Sequence, residues 1–491
     1  MMAFLLAAAI FTRPMERVES MDPAKSQAMY TAQAISLVYE APLSIDYTAR
    51  PYKLAPGYCE LPEISSDGLT YTFKVREGRS AHDMVSSLER IADKNLVSPN
   101  GWMVQDIKSV RARDDLTVEI KLKRKVHYFP WLMAMPSAGV VGKDLSGTGP
   151  YRLKYWRRNH EMVFERRHPG EGLFDVVRYC VIDDASTRWL MFLKGEIDFL
   201  GNISRDNWDA VVKSDGTLNE DLSRRGIRLL SGDTLDVLYI GFNMDDPVVG
   251  TNKKLRQALN AAFDYPTWKK FYNGSITLSD GPLPYGVEGK INEPFAYSWN
   301  LDKAKRLMCE AGYAGGVDPK TSRRLVLTLS LGRATQEGRE AGELLASFYE
   351  KIGIKLELKF MTWEAFLRSV NEGRVQMYQL GWVGDYPDAQ NFLQLFYSKN
   401  ARPGPNRTNY SSPAFDRAYE AALSADSSEK RNAYWIECQR ILREDCPWVF
   451  THCNKSFSLV NRRVENYVPS AFPYGNEAHF RLGGFSSQNH R

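Results

Sequence analysis

Residues 325–373 constrain the fold more than any other stretch of this chain. They read LVLTLSL, then EAGELLASFYEKIG, then IKLELKFM, then WEAFLRSVNEG. Two short runs rich in leucine and β-branched residues are each followed by a run with apolar residues at helical spacing. Parallel neighbours need a crossover between them, so strand–helix–strand–helix order builds an α/β layer with a partly parallel sheet.

The remainder alternates in the same vocabulary. Residues 67–75 (DGLTYTFKV) form a turn and then a strand with Leu69, Tyr71, Phe73 and Val75 on one face. Helical spacing follows from His82 to Asp93, and LTVEIKL (116–122) alternates again. These elements make a compact αβ subdomain over about residues 45–145. GTGPY (147–151) is a breaker cluster, read as a crossing between domains. Strands follow in YRLKYW, MVFERR and FDVVRYCVI, a helix over 187–193, and a turn with a short strand in GEIDFL. A strand over 234–243 precedes an amphipathic helix over 255–264. A helix over 301–312 stops at Gly312, further helices cover 414–423 and 428–445, and the tail returns to strand character from Val449.

A chain of 491 residues can hold two or three cores. Its net charge of +5 is small, and its densest basic run, 157–168, is broken by acids and apolar residues in strand-like alternation. That pattern suits a solvated strand face and argues against a nucleic-acid surface. Walker-type, Rossmann and nucleophile-elbow glycine motifs are absent, as is H-E-x-x-H, so no catalytic residue, metal site or cofactor is expected. Asp183 and Asp184 read as a surface turn. Cys438, Cys446 and Cys453 lie within sixteen residues and allow one disulfide in an oxidising compartment, or free buried thiols. The apolar run at residues 1–11 suits the core of a secretion signal, with a buried first element as the alternative.

Residues 379–398, QLGWVGDYPDAQNFLQLFYS, place the lone carboxylate of Asp385 between Trp382 and Tyr386. A carboxylate among aromatic surfaces is costly unless a cation pairs with it. The spacing leaves two roles for Asp385, recognition of a cationic ligand or capping of a helix that begins near Pro387.

Eight segments in order carry a resemblance: SMDPAKS, LVYEAPL, SSDGLTYTFKVREG, GTGPYRL, LKGEIDFLG, LRQALNAAFD, GWVGDYPDAQNF and NYSSPAFDRAYEAAL. From about Met21 to the C-terminus the chain resembles the peptide-binding solute-binding proteins of ABC importers, extracellular solute-binding protein family 5. The resemblance implies a fold like the type II periplasmic binding proteins, with two α/β lobes of mixed sheets joined by a hinge and a small extra α/β subdomain. Residues 1–20 would be a truncated leader. Residues 21–44, 146–236 and 450–491 would form lobe I, 45–145 the extra subdomain, and 237–449 lobe II.

It further implies a periplasmic, monomeric binder, not an enzyme, that captures peptides in an interlobe cleft and hands them to a permease and its ATPase. Asp385 in the G-W-x-x-D segment would receive the peptide ammonium beside Trp382 and Tyr386, with Trp363 as a second pocket tryptophan. Arg333 would meet the ligand carboxylate, and Tyr30, in a loop at 29–31, would line the pocket from the other lobe. The same fold with a nickel complex, haem or an oligosaccharide is the alternative ligand class, and a secreted hydrolase the alternative activity.

Overall fold

The computed structural model describes residues 8–26, 28–201, 203, 205–213, 216–332 and 335–483. The chain divides into two compact units. One contains the described residues up to Gly232 and from Ser456 onward, and the other runs from Asp233 to Lys455.

In the first unit β1 (Ile10–Met15), α1 (Met29–Val38), β2 (Tyr151–Arg157), β3 (Glu161–Arg166) and β4 (Val176–Val181) form the main layer. The sheet runs β1-β4-β3-β2, with β1 parallel to β4 and the other pairs antiparallel. Ile10–Met15 falls in the stretch read above as a leader, and here it is an edge strand whose Phe11 and Met15 enter the core. An apolar run of that length has no period that separates a secretion signal from a buried strand. The basic run spans the turn between β2 and β3 together with β3, and its Arg157 shares Glu161 with Arg178 of β4, while its Arg166 donates to the Phe174 and Ala478 carbonyls.

A second sheet in this unit has the order Glu63–Ile64, Thr70–Lys74, Thr117–Leu122 and Ile107–Asp114, all antiparallel. Tyr71 and Phe73 point inward as the alternation requires, and the helix Ala81–Ala92 buries Met84, Leu88 and Ile91. The GTGPY segment lies inside this unit against the end of α1, where Gly149 donates its N–H to the Val38 carbonyl at 2.8 Å. A Cβ at Gly147 or Gly149 would collide with the Val38 backbone, so the glycines serve close packing.

In the second unit the sheet is built from β5 (Asp236–Phe242), β6 (Val326–Leu331), β7 (Lys355–Phe360), β8 (Met377–Val383) and the part of β9 (Trp448–Val460) up to Lys455. Its order is β9-β5-β8-β6-β7. β6 runs parallel to both β7 and β8, while β5 is antiparallel to β8 and β9. The parallel part is the strand–helix–strand–helix segment of the sequence, with α2 (Gln336–Glu350) after β6 and α3 (Trp363–Asn371) after β7. Leu327, Leu329, Leu345, Phe348, Leu259 and Trp268 share its core. Full burial of each such side chain stabilises by about 1.5–3 kcal/mol. The same unit contains α4 (Ala389–Leu393), which follows β8.

All six cysteines are free, with Cys438, Cys446 and Cys453 buried and Cys309 exposed. Asp184 caps the helix Ala185–Lys194 through Thr187, and Asp183 makes an exposed ion pair with Arg17, so the two acids serve separate partners. Among the described residues no helix is long and apolar enough to cross a membrane.

Candidate functional site

β8 is a central strand, held on one side by β5, where Trp382 lies opposite Val237, and on the other by β6. Pairing ends at Gly384, whose N–H donates to the Leu235 carbonyl at 2.6 Å. A Cβ there would lie 2.6 Å from the Phe392 ring, so glycine lets the chain turn over α4. Asp385 is the first residue of that turn, and Asp388 is its last.

The N-cap of α4 is Asp388, which accepts from the Gln390 N–H at 2.9 Å and receives both guanidinium nitrogens of Arg431 at 2.9 and 2.8 Å. Capping is therefore not the role of Asp385. Its carboxylate instead accepts from the Asn391 carboxamide at 3.3 Å. The oxygen of the same carboxamide receives the Trp382 indole N–H at 2.9 Å and the Asp385 backbone N–H at 3.3 Å. Among the described residues no cation pairs with Asp385. Asp385 is an exposed residue, yet desolvation by the protein around it pushes its carboxyl up, opposed by the Asn391 hydrogen bond. An ionised carboxylate in that setting gains from any cation that reaches it.

Trp382 also lines a cavity of about 410 Å³ formed entirely within this unit. Its walls include Leu238 and Leu380, the half-exposed Trp363 at the start of α3, and the polar groups of Asp236, Gln379 and His452. Thr362 caps α3, and the Trp363 ring stacks on Phe366 with centroids 5.7 Å apart. Gly332 makes that placement possible, because a Cβ would sit 2.7 Å from Phe366 and 2.8 Å from Trp363. Asp236 is buried and fully engaged, accepting from the Asn454 backbone and side chain at 2.9 and 2.7 Å and from Thr234 at 2.8 Å.

Trp382, Asp385 and Trp363 thus share one end of one sheet. Tyr386 does not join them. It is buried, and its hydroxyl donates to Gln390 at 2.7 Å, because the turn after Gly384 sends consecutive side chains to opposite sides. Tyr30 belongs to the other unit and stands in the first turn of α1 rather than a loop, half-buried, with its hydroxyl pushed up by burial and by nearby Glu16. Arg333 lies outside the described residues. The sequence reading missed Asn391, Asp236 and His452. Asn391 was within reach, since it sits in the quoted GWVGDYPDAQNF segment, whereas Asp236 and His452 come from strands with no local signal.

The model of bacterial extracellular solute-binding proteins, family 5 middle, matches residues 53–404. The chain belongs to this family. Heme-binding protein A of Haemophilus influenzae is 25% identical over 86% of this chain and 83% of its own length. The dipeptide-binding protein of Escherichia coli is 23% identical over 86% of this chain and 85% of its own length. The solved structure of HbpA2 from Haemophilus parasuis matches with a TM-score of 0.84 at 24% identity, covering 96% of this chain and 99% of that one. The family 5 fold is therefore the α/β architecture with mixed sheets expected from the sequence.

Proposed function

We propose that this chain is the substrate-binding component of an ABC importer, exported to the periplasm, that captures peptides through their amino terminus. It works as a monomer, binds without transforming its ligand, and passes it to a permease driven by a separate ATPase. Membership of a solute-binding family and the name of the Escherichia coli relative support this reading. One observation carries it: Asp385 is held in place by Asn391 and stripped of part of its hydration, with no cation beside it among the described residues. A peptide ammonium supplies that cation, and Trp382 and Trp363 supply apolar surface for the residues that follow.

The test is calorimetric titration of wild type and Asp385→Ala with free and N-acetylated peptides. Acetylation is expected to weaken wild-type binding by about 10–100-fold, the range of a hydrogen-bonded charge contact, and to make little difference to the variant. Equal affinity of wild type for free and acetylated peptides overturns the role of Asp385. Tight binding of haem with no binding of peptides overturns the ligand class.

A further inference from the structure

The basic run of the sequence ends on Arg166, Arg167 and His168, and the peptide reading leaves all three unused. They stand in the wall of a cavity of about 800 Å³ whose lining belongs entirely to the first unit. That volume is in the range of small-molecule pockets. Strand β3 ends at Arg166, and the backbone N–H of Arg167 donates to the Pro150 carbonyl at 2.9 Å, which fixes this corner beside the GTGPY segment.

The charges of the wall do not balance. Arg76, Arg79, Arg166 and Arg167 line it against two acids, Glu40 and Glu77. Glu40 is taken by Arg79 through two hydrogen bonds at 2.8 Å, and Arg76 has Glu60 at 3.8 Å. Arg166 has only neutral partners. Its Nε donates to the Phe174 carbonyl at 2.8 Å, and one terminal nitrogen donates to the Tyr151 hydroxyl at 2.6 Å and the Ala478 carbonyl at 3.0 Å. With the guanidinium also seated 4.6 Å from the centre of the Tyr151 ring, the group is fixed while its other terminal nitrogen bonds to nothing among the described residues. Asp175 and Glu477, whose charges reach the Tyr151 hydroxyl, are engaged elsewhere, with the Ala9 N–H and with Arg13, each at 2.9 Å.

Arg167 makes no hydrogen bond or ion pair among the described residues. Its Nε is shut off from solvent, while its terminal nitrogens keep accessible surface. Both charges are felt inside the cavity. Burial pushes the Tyr39 hydroxyl up and Arg167 opposes it, and burial pushes the His479 ring down with Arg166 adding to the effect. Tyr39 and His479 are both lining residues. A half-buried guanidinium without a counter-charge gains from an oxyanion that reaches it, and its planar fork matches the oxygens of carboxylate and phosphate.

We propose that this cavity is a second ligand site, one that takes a small solute with at least two negative charges on carboxylate or phosphate groups, held by Arg166 and Arg167. The inference does not rest on the peptide reading, whose Asp385, Trp382 and Trp363 belong to the second unit.

The experiment is calorimetric titration at low ionic strength with inorganic pyrophosphate, citrate and acetate. It uses wild type, Arg167→Gln and, as a control for general charge, Arg323→Gln, which alters an exposed arginine of the second unit. Wild type is expected to bind pyrophosphate or citrate one to one and acetate more weakly. Affinity should fall about 10–100-fold in Arg167→Gln, the range of a hydrogen bond to a charged group, and stay within about twofold of wild type in Arg323→Gln. A preference for pyrophosphate assigns a phosphate ligand and a preference for citrate a polycarboxylate, and either supports the site. Phenylglyoxal labelling of wild type, read by peptide mapping, decides should the variant fail to fold, since bound dianion should shield Arg167. No binding of either dianion overturns the proposal, as does undiminished affinity in folded Arg167→Gln or unshielded labelling. Each of these leaves peptide capture standing, and failure of every peptide to bind leaves this site standing.

Discussion

Asn391 holds Asp385: its carboxamide donates to the carboxylate at 3.3 Å and accepts the backbone N–H of the same residue at 3.3 Å. The oxygen that takes that N–H also takes the indole N–H of Trp382, at 2.9 Å. One buried amide thus ties the carboxylate to the aromatic wall of the cavity. The candidate ammonium acceptor is positioned by its neighbour six residues on, not by its own rotamer preference.

Replacing Asn391 with leucine should therefore damage two things at once. The Trp382 indole N–H loses its acceptor, and the expected loss of stability is about 1–3 kcal/mol by denaturant unfolding. Peptide affinity should fall as well, and the Trp382 fluorescence of the free protein should shift. Unchanged affinity and emission in Asn391→Leu would show that the carboxamide positions neither residue.

Asp385 also predicts a pH dependence of definite sign. Its proton is held more tightly in the folded chain than at the ordinary carboxylate value of 3.8, chiefly through desolvation. By linkage, stability contributed at this site falls as pH rises from the ordinary value through the raised one, and is level above it. Asp385→Asn removes that penalty, so its stability relative to wild type should be better at pH 7 than at pH 3. Peptide affinity of wild type has the opposite trend and should drop on acidification through the raised value, where the carboxylate is protonated. Thermal unfolding and titration at both pH values check the two signs.

Asp388 and Arg431 make a different kind of pair. Both are mostly buried and joined by two hydrogen bonds at 2.8 and 2.9 Å, and Asp388 caps α4 as well. Arg431→Met leaves the carboxylate buried without its cation, and the expected loss is about 3–5 kcal/mol. The contrast with Asp385→Ala is the point of the measurement. One acid of the GDYPD turn should govern stability and the other affinity, and a large stability loss in Asp385→Ala would contradict that division.

Much of the second unit was legible in the chain itself. Leu327, Leu329 and Leu331 alternate with polar residues, and Ala341, Leu345 and Phe348 repeat at helical spacing, so β6 and α2 emerge from periodicity alone. The aromatic-flanked carboxylate was legible too, because Trp382 and Asp385 lie three residues apart. Tyr386 shows the limit. Adjacency cannot say on which side of a turn a ring falls, and the packing of α4 beneath that turn turned Tyr386 inward.

What the amino-acid order determined by itself was the local character of each element and one unusual charge, since periods of two and of 3.6 residues are short-range properties. Tertiary structure decided which distant strands became neighbours. It brought Asp236 from β5 and His452 from β9 to the cavity that Trp363 and Trp382 line, and it used residues 10–15 as an edge strand. Those placements depend on burial and pairing across hundreds of residues, which no local period encodes.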